Sequence, residues 1–277
     1  MIIKVDNFDL KNTLLSGACF RVREEKDGSF TNILKDRIIN IKQNKNEIII
    51  NSNKLDNLEN IIKEYFDLNR DYSEINTYLS KNDEYMKKII PKISGYKIIN
   101  QDLFEMCVSY IISQNNNVKR ISKTIEELSK KYGEKVIFNN KEYYLFPTYE
   151  SLVHLKCEDY RELGVGFRDK YLVDFIEKYK SLKDINTLST IDALKELMKI
   201  KGIGLKVASC ILLFGNKRLD VFPIDTWVKQ NIKENYGIKE DQKTIEEFAK
   251  NTYGKYSGIA IQYLYHSQRN VGWEWEK

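Results

Sequence analysis

The hydrophobic pattern of this chain changes period once, near residue 53, and that change restricts the fold more than any other feature. Before it, short β-prone runs at residues 19–22, 30–34, 38–41 and 47–50 are separated by polar turns such as Lys26-Asp27-Gly28. From about residue 55 the apolar residues recur three and four apart. Leu58, Ile61, Ile62 and Tyr65 make one stripe, and Phe104, Cys107, Val108 and Ile111 another, with similar stripes nearly to the end. Strands first and helices after imply an α+β fold, with an antiparallel sheet and flanking helices over residues 1–95 and a mainly helical unit over 96–277. With 277 residues, 42% of them hydrophobic, a sizeable core needs no staples.

Composition narrows the chemistry. Only His154 and His266 are present, which disfavours Ser-His-Asp or Cys-His catalysis and multi-histidine metal sites. Cys19, Cys107, Cys157 and Cys210 are scattered, with no spacing suited to zinc or an iron-sulfur cluster, and read as reduced thiols of a soluble cytoplasmic protein. No apolar run approaches membrane-spanning length. A net charge of +5, from 45 basic against 40 acidic residues, permits a nucleic-acid partner without requiring one. The reactive groups must therefore come from Lys, Asp or Glu.

Residues 197–227 hold the strongest local signal. Gly202 and Gly204 bracket Ile203 in a tight hairpin, and a helix follows with Val207, Cys210, Ile211 and Phe214 on one stripe. Free backbone N–H groups and the positive end of a helix dipole at such a hairpin suit a phosphate. Lys206 falls in the first turn of that helix, where the dipole and burial favour a neutral, nucleophilic amine. Asp225, after Phe222-Pro223-Ile224, stands where a helix N-cap is the ordinary explanation. A helix of roughly ten residues and a short return loop nevertheless bring both helix starts to one side, so an amine and a carboxylate can share a cleft.

Three other places are notable. Ser16-Gly17-Ala18 sets a glycine where backbone can approach another group or simply turn. The polar knot at residues 114–117 is either a helix joint or a set of amides, with Arg120, facing a nucleic acid. Leu163-Gly164-Val165-Gly166 is a second hairpin, followed by Phe167 and Arg168, either a wedge with a base reader or a core Phe beside a surface Arg. Residues 133–149 read as a short hairpin or a loop, and Trp273 and Trp275 as a cover for an apolar edge.

Taken in order, these motifs resemble the helix-hairpin-helix DNA glycosylases, and among them the 8-oxoguanine DNA glycosylase family; they run from Ser16 to Tyr265. The resemblance implies a bifunctional glycosylase and abasic-site lyase that flips 8-oxoguanine, paired with cytosine, out of duplex DNA. By the same resemblance Lys206 attacks C1′ of the deoxyribose, and Asp225 supports the charge that develops on the sugar. The Gly17 carbonyl accepts the N7 hydrogen, and Cys210 and Tyr265 flank the base. Asn115 fills the vacated space, Arg120 and Arg168 read the opposite base, Phe167 wedges the step, and Gly202, Gly204 and Asn117 contact phosphates. No metal or other cofactor is implied, and the expected form is a monomer, nucleoid-associated in a prokaryote. Two positions depart from the family pattern. Where its members present a glutamine to the base this chain has Ile261, with Gln262 next, so that either the register shifts by one or base recognition differs. Trp227 replaces a phosphate-contacting histidine of some members. A glycosylase for another damaged base, or a DNA-binding module without catalysis, are the alternatives.

Overall fold

The computed structural model describes residues 1–93 and 95–272, so Trp273 and Trp275 lie outside the described residues. It begins with β1 (Ile2–Lys4) and α1 (Leu10–Leu14), whose N-cap Asp9 accepts a hydrogen bond from the Asn12 N–H. Then come β2 (Arg23–Glu24), β3 (Phe30–Leu34), β4 (Arg37–Asn44) and β5 (Glu47–Ser52). The five strands form one antiparallel sheet in the order β1-β5-β4-β3-β2. Alternation sets its two faces. Phe30, Leu34, Ile39, Ile41, Ile48 and Ile50 enter the main core, while Ile33 and Ile38 point the other way, onto Phe138, Tyr143 and Leu145. Each fully buried isoleucine in this set contributes about 1.5–3 kcal/mol of transfer free energy.

Residues 19–22 are not a strand. Ala18, Cys19, Phe20 and Arg21 are all buried in succession, which a one-faced strand cannot do, and pairing starts only at Arg23 opposite Thr31. The segment between α1 and β2 is thereby free to bend inward.

The remainder is helical apart from one hairpin. In order it comprises α2 (Leu58–Tyr65), α3 (Tyr72–Asn82), α4 (Glu84–Ile89), α5 (Leu103–Ser113) and α6 (Val118–Tyr132). The hairpin β6 (Lys135–Phe138) and β7 (Lys141–Tyr144) lies over the outer face of β3 and β4, burying what would otherwise be an exposed apolar patch. Then follow α7 (Tyr149–Leu152), α8 (Cys157–Glu162), α9 (Asp169–Tyr179), α10 (Thr190–Leu197), α11 (Leu205–Asn216), α12 (Thr226–Tyr236), α13 (Gln242–Tyr253) and α14 (Ser257–Gly272). α5 and α11 are buried on nearly every side and pack on each other at the centre. One continuous cluster of buried side chains runs from Ile3 in β1 to Leu264 in α14, so the sheet and the helices share a core. Among the described residues no helix is long and apolar enough to cross a membrane.

Candidate active site

The hairpin between α10 and α11 is built by two glycines in different ways. Gly202 has φ +80°, and a Cβ there would sit 2.3 Å from the Tyr171 ring on α9, so only glycine fits. Gly204 is extended and exposed, with nothing within 4 Å of where its Cβ would be. It starts α11 without a side-chain cap, leaving the positive end of that helix open. Lys206 follows, half-buried, and Cys210 one turn later shares its face. The chain leaves α11 through Lys217 in a left-handed conformation and returns by way of Pro223 to Asp225. Asp225 is the N-cap of α12: its carboxylate accepts from the Val228 N–H at 2.8 Å.

Capping does not remove Asp225 from the cleft. A cavity of about 140 Å³ is lined jointly by Lys206, Asp225 and Cys210, by Gly17 and its neighbours Ser16 and Ala18, and by Ile261, Gln262 and Tyr265 of α14. Three separate segments thus bring the amine and thiol, the carboxylate and the Gly17 backbone together. Gly17 has φ +88°, and the Ala18 N–H turns back to Ser16 Oγ at 3.3 Å. Burial pushes the Cys210 thiol up, with the Lys206 charge opposing and Asp225 adding to the shift. It is therefore a neutral apolar wall rather than a nucleophile. The Tyr265 ring meets the Trp227 ring edge-to-face at 5.1 Å, so Trp227 packs against an aromatic wall of the cavity. Ile261 is 2% exposed, and Gln262 Oε1 accepts from the Tyr96 hydroxyl at 3.3 Å. Both line the cavity, one apolar and one with its amide orientation held.

The remaining sequence candidates lie outside the cavity, around the start of α6 and the turn before α9. Asn117 is the N-cap of α6, its side chain accepting from the Arg120 N–H at 2.9 Å, and Asn115 before it is exposed with φ +48°. Arg120, in the first turn of α6, is exposed, and Phe167, two residues before α9, is 54% exposed. The alternative that made Arg168 a surface residue is not what is found: it is buried to 4% exposure. Its Nε donates to Gln114 O at 2.7 Å, Nη1 to Val165 O at 2.8 Å and Nη2 to Asn115 O at 2.9 Å, with a further contact from Nη2 to Gln114 O. The reason is local: carbonyls released by two adjoining loops need donors, and a guanidinium supplies five. Arg168 braces the Asn115 turn.

Sequence reasoning passed over Tyr110 and Gln101. Tyr110 lines the cavity from α5 and stacks on Phe214. It sits within an apolar helical pattern and has no mark distinguishing it from core. Gln101, just before α5, donates from Nε2 to Ala18 O at 2.9 Å, a contact between residues 83 positions apart that no local pattern reveals.

Chemically, an amine and a carboxylate in one cleft suit attack on an electron-poor carbon with stabilisation of the cationic state that forms. The volume is below the ~300 Å³ of ordinary small-molecule sites, which favours a single flat ring over a whole nucleotide. Among the described residues no group of three or more His, Cys, Asp or Glu could hold a metal ion.

The whole chain is similar to known proteins. The model for the 8-oxoguanine DNA glycosylase N-terminal domain matches residues 1–107, and that for the HhH-GPD superfamily of base excision DNA repair proteins matches residues 108–253. The solved structure of MBOgg1 in complex with a low-affinity DNA ligand is 38% identical, covers 98% of this chain and 96% of its own, and superposes with a TM-score of 0.93. The Clostridium acetobutylicum 8-oxoguanine glycosylase/lyase, in complex with double-stranded DNA containing cytosine opposite 8-oxoguanine, is 34% identical over 98% of this chain and 99% of that one, with a TM-score of 0.90. The N-glycosylase/DNA lyase of Saccharomyces cerevisiae is 27% identical over 91% of this chain and 73% of its own length.

Proposed function

The chain belongs to the 8-oxoguanine DNA glycosylase family of the HhH-GPD superfamily, and from that premise we propose that it excises 8-oxoguanine opposite cytosine from duplex DNA and then nicks the strand. The observation that carries the reading is the convergence of Lys206, Asp225, Cys210, Gly17 and Tyr265 on one cavity. In this reading the target nucleotide leaves the stack and its base enters between Cys210 and Tyr265. The Lys206 amine attacks C1′, the bond from C1′ to the base breaks, and the base departs with that electron pair and takes up a proton. Asp225 stabilises the positive charge building on the sugar. Ring opening leaves a Schiff base between Lys206 and C1′. Loss of a C2′ proton then expels the 3′ phosphate by β-elimination.

Recognition in this proposal is divided among several groups. The Gly17 carbonyl accepts the N7 hydrogen that guanine lacks. Gln262, rather than Ile261, offers its amide to the base edge, a reading supported by its place in the cavity and its hold from Tyr96. Asn115, Arg120 and Phe167 occupy the gap left in the duplex, while the open start of α11 at Gly204 and the turn at Asn117 take phosphates. The protein acts as a monomer without a cofactor.

Borohydride trapping on an 8-oxoguanine·cytosine duplex tests this. Wild-type protein should yield a covalent adduct that Lys206→Gln abolishes; absence of an adduct with wild type sinks the lyase. The apolar Ile261 favours a second reading, excision of a damaged base with fewer hydrogen-bonding groups on that edge. Parallel cleavage of duplexes with several lesions decides between the two.

A further inference from the structure

The segment between α4 and α5 is stitched to the N-terminal region along its length. Gly95 O accepts from the Asp9 N–H at 2.8 Å, the Lys97 N–H donates to Thr13 Oγ1 at 3.2 Å, and the Asn100 N–H donates to Tyr65 O at 2.8 Å. At Gln101 the stitching changes partner. Its backbone N–H donates to Phe214 O in α11 at 2.7 Å, while its side-chain Nε2 donates to Ala18 O at 2.9 Å. One residue therefore ties the loop that carries Gly17 to the helix that carries Lys206 and Cys210. Phe214 and Ala18 both line the cavity, so the tie spans two of its walls.

The bond bears on a carbonyl direction. Gly17 C=O and Ala18 N–H belong to one planar trans peptide and point opposite ways, so the 3.3 Å bond from the Ala18 N–H to Ser16 Oγ orients the Gly17 carbonyl. Gly17, at φ +88°, has no side chain to resist rotation of that unit. The next peptide is held through Ala18 O by Gln101. With its own N–H held by Ser16 and the following unit held by Gln101, the Gly17 peptide is restrained from swinging, and Gln101 is the pin that references it to α11.

We propose that Gln101 is a specificity-determining positioning residue, which sets the Gly17 carbonyl at a fixed place relative to the Lys206 helix and so sustains discrimination of 8-oxoguanine from guanine. It touches no substrate. This rests on the reading of Gly17 as acceptor of the N7 hydrogen, and the two claims fail differently.

The test uses Gln101→Met, which keeps length and the backbone N–H but removes the donor to Ala18. In full-length protein carrying Lys206→Gln to prevent turnover, the ratio of affinities for 8-oxoguanine·cytosine and guanine·cytosine duplexes should fall about tenfold, the order expected for one hydrogen bond lost to misalignment. In protein with Lys206 intact, cleavage of a preformed abasic site, which offers no base to read, should stay within about twofold of wild type because the lysine chemistry is untouched. Ser16→Ala, which removes the other pin, should lower the affinity ratio in the same direction and keeps the test open should Gln101→Met fold poorly. An unchanged ratio in folded Gln101→Met overturns the proposal, whatever Ser16→Ala shows, as does abasic-site cleavage falling in parallel with lesion binding, which marks a general packing role. A ratio near one without either substitution overturns the Gly17 reading itself.

Discussion

Asp225 accepts a hydrogen bond from the Val228 N–H at 2.8 Å while facing the cavity that also holds Lys206, so one carboxylate both starts a helix and lines the cleft. The two tasks separate in Asp225→Asn. Asparagine caps as well as aspartate, so stability should change by less than about 0.5 kcal/mol. Base excision, which in the proposed mechanism draws on the negative charge, should fall on the order of 100-fold. Asp225→Ala should lose both, with a further stability cost of about 1 kcal/mol. Thermal melting with single-turnover excision checks this; an Asn variant that excises normally removes Asp225 from the chemistry.

Arg120, in the first turn of α6, and Arg168, in the turn before α9, lie on adjoining parts of the chain and should respond differently. Arg168→Ala leaves Gln114, Asn115 and Val165 carbonyls without their donor, at about 2–3 kcal/mol, and a chain this long should lose about 2–4 °C of melting temperature per kcal/mol. Arg120→Ala, at an exposed site, should leave the melting temperature within about 1 °C and weaken duplex binding with a shallower salt slope. Equal melting temperatures for the two variants would contradict the bracing role.

The hairpin glycines provide a similar contrast. Gly202→Ala forces a methyl group onto the Tyr171 ring at positive φ and should cost about 1–3 kcal/mol. Gly204→Ala meets open space and an extended backbone, so folding should lose at most about 1 kcal/mol, the preference for glycine over alanine at an N-cap. Its methyl instead stands where a phosphate would approach the start of α11, and duplex affinity should drop. Denaturation and binding titrations on both variants would show whether the division is real.

Burial pushes the Glu105 carboxyl up to about 7, with the Arg21 charge opposing and Asp102 adding to the rise. Its folded pKa thus lies above the ordinary 4.5, so the native state binds the extra proton between those values. Stability tied to this group is present below about pH 4.5 and is lost as pH rises towards 7, by a few kcal/mol in order of magnitude. Glu105→Gln, always neutral, should flatten the fall in melting temperature between about pH 5 and 8 and be the more stable form at pH 8. An unchanged pH profile would show that Glu105 titrates normally.

Much of this was legible from local pattern. The strand and helix periods placed β3, β4 and β5, and the stripes at Leu58 and Phe104 placed α2 and α5, because burial of one face imposes a period on any amphipathic element. The hairpin at Gly202 and the start of α12 at Asp225 were legible because turns and caps demand particular residues. Residues 19–22 misled, since β-prone residues also serve a bent segment buried on all sides.

What only tertiary structure decided is which distant residues meet. The five segments lining the cavity lie up to some 250 positions apart in the chain, and nothing local to Gly17 specifies that Tyr265 will face the same space. Whether Arg168 points outward or inward depended on carbonyls freed by the loop at residue 114, and the tie from Gln101 to Ala18 on where α5 begins relative to α1. Side-chain type and spacing determine what an element can become and what chemistry it can offer. Close packing of the shared core, which allows one arrangement of the elements and no near alternatives, determines which offers converge.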